Sequence, residues 1–285
     1  MRGVIKALLC SGRLLNVMLL GLVLLLSACS ASVVNKYYTA KGQNSRVRYI
    51  ILHYTRANLQ QALQTLTQGQ VSAHYLITDE KPARVFQLVD ENRRAWHAGY
   101  SQWHDDVDLN STSIGIEIVN QGPLCDELLS SLCSEKTAAH WQPFSESQTQ
   151  RLIALLKDIQ QRHHISPQHI LGHSDVAPSR KIDPGPAFPW RRLAQEGVAV
   201  WYDDVFMQQQ QRIFIQQGLP SVLSIQRYLK SLGYAIDVTG QWDVQSQEVM
   251  RAFQMHYRPS RYDGLPDAET VAILSALVNQ SLTSR

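Results

Sequence analysis

Three things are scarce in this 285-residue sequence: net charge, cysteine, and apolar runs of membrane-spanning length. Lysine and arginine number 27 against 24 acidic residues, and residues 1–28 hold Arg2, Lys6 and Arg13 with no acid at all. Without that segment the chain is neutral, so basicity offers nothing to a phosphate backbone and nucleic acid is not expected as a partner. The one long apolar run, Leu14 to Leu26, falls short of the roughly 20 residues that a spanning helix needs. Cysteines number only four, so a disulfide framework cannot be what holds the fold together.

The layout around the apolar run explains it. Basic residues precede it, and the small pair Ser27-Ala28 and then Cys29 follow, as in a secretory signal over residues 1–28. Leu26-Ser27-Ala28-Cys29 looks like a bacterial lipobox, which implies cleavage before Cys29 and lipid attachment to its sulfur. An uncleaved membrane anchor is the alternative. Ser30, a non-acidic residue after the cysteine, resembles the outer-membrane sorting pattern, so a lipid-anchored protein facing the periplasm is expected. Cys10 then leaves with the signal, and only Cys125 and Cys133 remain. Close together in an exported chain, they are expected to form a disulfide, with two buried thiols as the alternative.

Residues 29–44 are small and polar and suit a tether. Arg46 to Thr55 reads as a first strand. Ala57 to Gly69, with Leu59, Ala62, Leu63 and Leu66 at helical spacing, reads as a helix closed by Gly69. Strands follow at 73–78 and 84–89, joined by a turn containing Pro82, and at 113–119. Residues 122–143, with the cysteine pair, read as a surface insertion. Ser145 and Gln148 stand at capping-box spacing before a long amphipathic helix through His164. Strands interleaved with helices predict an α/β domain over 45–200. From Trp201 the texture turns helical. A Gln-rich stretch, Gln208 to Gln211, leads to three helical patterns at 222–232, 244–257 and 268–278, so 201–285 is expected to be a small second domain.

The segment with the densest chemistry runs from Gly172 to Pro186. Proline and glycine break it too often for a helix or strand, while its prolines restrict the backbone that carries His173, Lys181 and Asp183. Neutral imidazole and carboxylate are both zinc ligands, and a catalytic zinc takes three protein ligands and leaves one position open. His173 and Asp183 supply two. His53, at the end of the apolar run Tyr49-Ile50-Ile51-Leu52, is the best candidate for the third, although a histidine ending a strand is also common as a plain structural residue. Glu117 lies between isoleucines on a predicted strand, where a carboxylate is costly to bury unless paired or functional. An exposed strand face is the alternative.

Five separated motifs occur in order: Ile51-Leu52-His53-Tyr54-Thr55, Ser72-Ala73-His74-Tyr75-Leu76-Ile77, Ala95-Trp96-His97-Ala98-Gly99, Asn110 through Ser113-Ile114-Gly115-Ile116-Glu117, and Gly172-His173-Ser174-Asp175 with Arg180-Lys181-Ile182-Asp183-Pro184-Gly185. Together they resemble the zinc-dependent N-acetylmuramoyl-L-alanine amidases of the amidase-2 family, related in fold to the peptidoglycan recognition proteins. The resemblance covers 46–200 and implies a central mixed β-sheet flanked by helices. It implies one Zn²⁺ held by His53, His173 and Asp183, a catalytic glutamate at Glu117 and a catalytic lysine at Lys181. Phage-type members carry a tyrosine where this chain has Ala73, so none is expected to act from there. Trp96 and His97 are expected to line the substrate groove. The reaction implied is hydrolysis of the amide between the muramic acid lactyl group and L-alanine, on peptidoglycan and muropeptides; a monomer is expected.

The C-terminal patterns, among them Thr239-Gly240-Gln241-Trp242-Asp243 and Asp263-Gly264, resemble a three-helix peptidoglycan-binding module. Such a module would add avidity on a polymeric substrate; a packing subdomain that buttresses the catalytic part is the alternative. Two rival functions stay open: a wall-binding protein on an inactive amidase fold, which the ligand set argues against, and a zinc hydrolase acting on a different amide.

Overall fold

Two parallel strands set the architecture. β1 (Tyr49–Tyr54) and β6 (Ser113–Ile118) pair with Tyr49 opposite Ser113 and His53 opposite Glu117. β9 (Ile170–Gly172) flanks β1 and β2 (Tyr75–Ile77) flanks β6, both in parallel, and β3 (Val85–Gln87) closes the edge antiparallel. The order is β3-β2-β6-β1-β9, a mixed five-stranded sheet, while β7 (Pro123–Leu124) and β8 (His140–Trp141) form a separate antiparallel pair. The computed structural model describes residues 37–38, 40–43, 45–124 and 140–283. Cys29, Cys125 and Cys133 lie outside the described residues, and with them the expected signal, lipidation and disulfide. Residues 1–44 form one unit, described only in a short irregular stretch in which the Gln43 side chain donates to Ala40 O; residues 45–285 form the other.

Alternation along the strands sorts side chains between two faces. Ile50, Leu52, Ile114, Ile116 and Ile118 join a core with Leu152, Leu156 and Ile159 of α2 (Glu146–His163). That helix starts with the expected capping box: Gln148 N–H donates to Ser145 Oγ at 3.2 Å, and Ser145 N–H donates back to Gln148 Oε1 at 3.0 Å. Trp190 and Leu193 of α4 (Trp190–Gln195) complete this core. On the other face, α1 (Leu59–Gln68) covers Leu76 and Val119 through Ala62 and Leu66. Tyr49, Ile51 and Leu171 instead join one continuous core with the C-terminal helices. Between these two coverings the ends of β1 and β6 are left open as a groove.

The structure departs from the sequence expectations at four places. The Gln-rich stretch is itself a helix, α5 (Asp204–Gln217), started by Asp203, whose side chain accepts from Phe206 N–H. It precedes α6 (Val222–Leu232), α7 (Val244–Tyr257) and α8 (Ala268–Thr283), so the helical part has four helices rather than three. The Gly172–Pro186 segment opens with one helical turn, α3 (His173–Val176), which fits before the first proline at 178. The strands expected at 73–78 and 84–89 shorten to three paired residues each. A small unexpected hairpin, β4 (Gln102–Trp103) and β5 (Asp106–Val107), reaches the C-terminal helices. There Trp103 packs on Gly233, whose φ of 124° and a Cβ that would fall 2.4 Å from the indole both require glycine. Among the described residues no helix is long and apolar enough to cross a membrane.

Candidate metal centre

His53 is the last but one residue of β1, on the same face as Tyr49 and Ile51, and Glu117 lies opposite it on β6 in line with Ser113 and Gly115. β9 lies on the other side of β1 and delivers His173 at its end. Parallel strands ending together thus bring three sequence-distant residues to one edge of the sheet. Asp183 returns from the following loop, tied down by Ser174 N–H donating to its carbonyl at 2.8 Å. His53 Nδ1 lies 2.9 Å from Asp183 Oδ2, His173 Nδ1 lies 3.0 Å from the same oxygen, and the two Nδ1 atoms are 3.0 Å apart. All three side chains are buried.

The partners of the outer ring nitrogens fix the tautomers. His173 Nε2 faces Ala98 O at 3.0 Å, and a carbonyl only accepts, so Nε2 carries the proton and Nδ1 a lone pair. For His53 the argument runs along a chain of bonds. The Ser113 hydroxyl donates to Leu109 O at 2.5 Å, so its oxygen accepts from His97 Nε2 at 3.2 Å. His97 Nδ1 is therefore an acceptor, and His53 Nε2–H donates to it at 3.1 Å. Both inner nitrogens then present lone pairs towards a carboxylate oxygen. Three converging acceptors need a cation at their centre, and two imidazoles with one carboxylate are a zinc-type donor set. The residues fit the group.

The electrostatics follow from burial. Burial, then the neighbouring His173, lowers His53 to about 4, and burial and the surrounding histidines push His97 well below the usual histidine range. Burial alone would raise Asp183, but the His173 and His53 rings hold its carboxyl well below the usual range. Glu117 goes the other way: burial, then the charge of Asp183, raises it to about 8, with Lys181 pulling it back down. Its Oε2 is sealed from solvent with no hydrogen-bond partner.

A cavity of about 320 Å³ opens over this edge, lined by His53, Glu117, Lys181 and Asp183 with Thr65 of α1 and Trp96. Trp96 is 51 % exposed on its rim, with the Arg94 guanidinium 4.3 Å over its ring. His97, expected beside it in the groove, lines the same cavity, and its two ring nitrogens are engaged by His53 and Ser113. Residues whose part was not read from the sequence hold this arrangement. Asn110 Oδ1 accepts from His97 N–H at 3.0 Å and Ala98 N–H at 2.8 Å, and Arg180 donates to Ala98 O and Tyr100 O. Gly115 leaves room for the His97 ring, which a Cβ would approach to 2.3 Å. A glycine in mid-strand was the available signal. A larger cavity, about 450 Å³, opens between Trp103, Tyr234 and Tyr257 and touches none of the three ligands.

Comparison with known proteins gives the family. A family model described as N-acetylmuramoyl-L-alanine amidase matches residues 43–186, spanning all five residues at the centre, and a peptidoglycan binding domain model matches 219–274. The chain belongs to the N-acetylmuramoyl-L-alanine amidase family. The amidase is 39 % identical over 254 residues to N-acetylmuramoyl-L-alanine amidase AmiD of Escherichia coli, covering 85 % of this chain and 86 % of that protein. Its fold matches a crystal structure of AmiD in complex with an anhydro-muramyl tripeptide substrate, at a TM-score of 0.72 and 37 % identity over 87 % of this chain and 94 % of that one. It also matches AmpDh3 of Pseudomonas aeruginosa in complex with anhydromuramic pentapeptide, at 0.78 and 38 % identity over 89 % and 99 %.

Proposed function

We propose that this amidase hydrolyses the bond between the lactyl group of N-acetylmuramic acid and L-alanine in peptidoglycan, with one zinc held by His53, His173 and Asp183. The observation that carries the reading is the convergence of three lone-pair donors beside a carboxylate raised to about 8. Bound zinc supplies Lewis acidity, polarising a carbonyl and acidifying water. Glu117 accepts a proton from the water as its oxygen attacks the amide carbon. It returns that proton to the alanine nitrogen as the carbon–nitrogen bond breaks. Lys181, on the wall of the same cavity, offers positive charge to the developing oxyanion. Trp96 presents an exposed indole face at the groove mouth for substrate. The helical part over 201–285 adds a second hold on the polymer, and the protein is expected to work as a monomer, which sedimentation of the purified chain would test.

Incubation with purified sacculi, followed by mass spectrometry, tests the reaction: free stem peptides starting at L-alanine are expected. His53→Ala, His173→Ala and Asp183→Ala should each abolish zinc binding and release. Full activity in a preparation that elemental analysis finds free of metal would remove zinc from the mechanism.

For location, Leu26-Ser27-Ala28-Cys29 supports a lipid anchor in the outer membrane. Cys29→Ser should shift the protein from the membrane fraction to the soluble one; a variant that still pellets after a high-salt wash would overturn the anchor.

A further inference from the structure

The turn that presents His173 is not held from the catalytic side alone. Asp175 lies two residues on, in the same single turn α3, and is 1 % exposed. A carboxyl group buried this deeply needs hydrogen-bond donors to meet its oxygens. Gly172 N–H donates to its Oδ2 at 2.7 Å, the Tyr234 hydroxyl donates to Oδ1 at 2.8 Å, and His256 Nδ1 donates to Oδ2 at 2.8 Å. Only the first donor belongs to the catalytic part. Tyr234 follows α6 and His256 lies in α7. Both are themselves fixed: the His256 ring stacks on Trp190 at 3.6 Å and 16°, and Tyr234 sits edge-on to Trp103 at 4.9 Å. The same turn also carries the Ser174 N–H that holds the Asp183 carbonyl. A shift of α3 would therefore move two of the three ligands.

We propose that Tyr234 and His256 of the C-terminal helices are positioning residues for the metal centre. Acting through Asp175, they fix the turn that carries His173 and, through Ser174, the backbone of Asp183. The helical part is then a component of the site as well as a hold on the polymer. This rests on the metal reading above, and it asks for measurements that separate the two.

The test measures zinc affinity by chelator competition, and kcat and KM on a short soluble muropeptide, in full-length wild type, Tyr234→Phe, His256→Leu and His256→Asn. Tyr234→Phe deletes one hydroxyl and keeps the ring packing. His256→Leu removes the donor, while His256→Asn places an amide N–H near the position of Nδ1. Tyr234→Phe and His256→Leu should each weaken zinc by roughly 10–100-fold, the usual effect of losing a group that orients a ligand. Both should lower kcat with KM little changed, and His256→Asn should recover most of the loss. A contact that only glues the helices in place would lower the melting temperature and leave zinc affinity at the wild-type value, which overturns the proposal. Wild type that takes up no zinc overturns the metal reading and this one with it.

Discussion

His53 and Glu117 face each other across neighbouring strands, and burial drives their protonation in opposite directions. The charged form is disfavoured in both, so the histidine falls to about 4 and the carboxyl rises to about 8. This gives the metal-free protein a signature in its stability. A carboxyl raised on folding stabilises fully below its unfolded value near 4.5, and that contribution is lost as pH climbs through about 8. The depressed histidines act with the opposite slope, His53 between about 4 and 6.5, which leaves pH 7 to 8 as the window in which Glu117 stands alone. Chelated wild type should therefore lose stability across that window, and Glu117→Gln, which cannot ionise, should be flat there and more stable at pH 8. The zinc-loaded variant should keep its metal while kcat falls by roughly 10²–10⁴-fold, as expected when a general base is removed. Thermal melts against pH, with zinc content and turnover on the same preparations, decide it. A solvent-facing Glu117 would give neither effect.

At the scale of elements, what could be read in the sequence was what local chemistry dictates. The apolar run of β1 and the Ser145/Gln148 box of α2 declare themselves, because one needs only burial and the other only neighbouring residues. α5 did not, since Met207 is its one buried residue and its face carries too little apolar signal. The three ligands, Glu117 and Lys181 all line or meet at one groove, but their convergence depends on strand order, which no local pattern encodes. Glu117 could be read either way from alternation alone, and only the fold shows its Oε2 sealed from solvent. His97 was read as a groove residue and lines the cavity, but its bond to His53 was not legible, because room for its ring depends on the missing side chain of Gly115. Gly115→Ala tests that element. Its Cβ would press into the imidazole at 2.3 Å, so overpacking should cost about 1–3 kcal/mol. The displaced ring should also loosen the bond that orients His53, weakening zinc by roughly tenfold. Calorimetry and chelator competition measure the two effects. A variant with unchanged zinc affinity would mean that His97 only fills space.

Across the whole molecule, the change of texture near residue 200 is not a break in packing. Tyr49, Ile51, Leu171 and Val176 share one buried cluster with Ile225, Leu229, Phe253 and Leu274, so the C-terminal helices cover the sheet face that α1 leaves open. A module that acted only by avidity would need no such core, because effective concentration asks for a linker and two sites. Removing 201–285 should therefore do more than weaken attachment to insoluble peptidoglycan. It would bare the apolar side of β1 and β9 and strip Asp175 of two of its three donors. The truncated chain is expected to be poorly soluble or loosely folded, and to lose turnover on a soluble muropeptide as well as on sacculi. In the full chain the sheet and the helices should melt in one cooperative transition, with calorimetric and van't Hoff enthalpies equal. Two separate transitions, or a well-folded 45–200 fragment with wild-type turnover on the soluble substrate, would return the helices to a purely tethering part. One transition, with activity lost on both substrates, makes the helices the second layer of the catalytic fold and places the polymer's second hold within reach of the turn that carries His173.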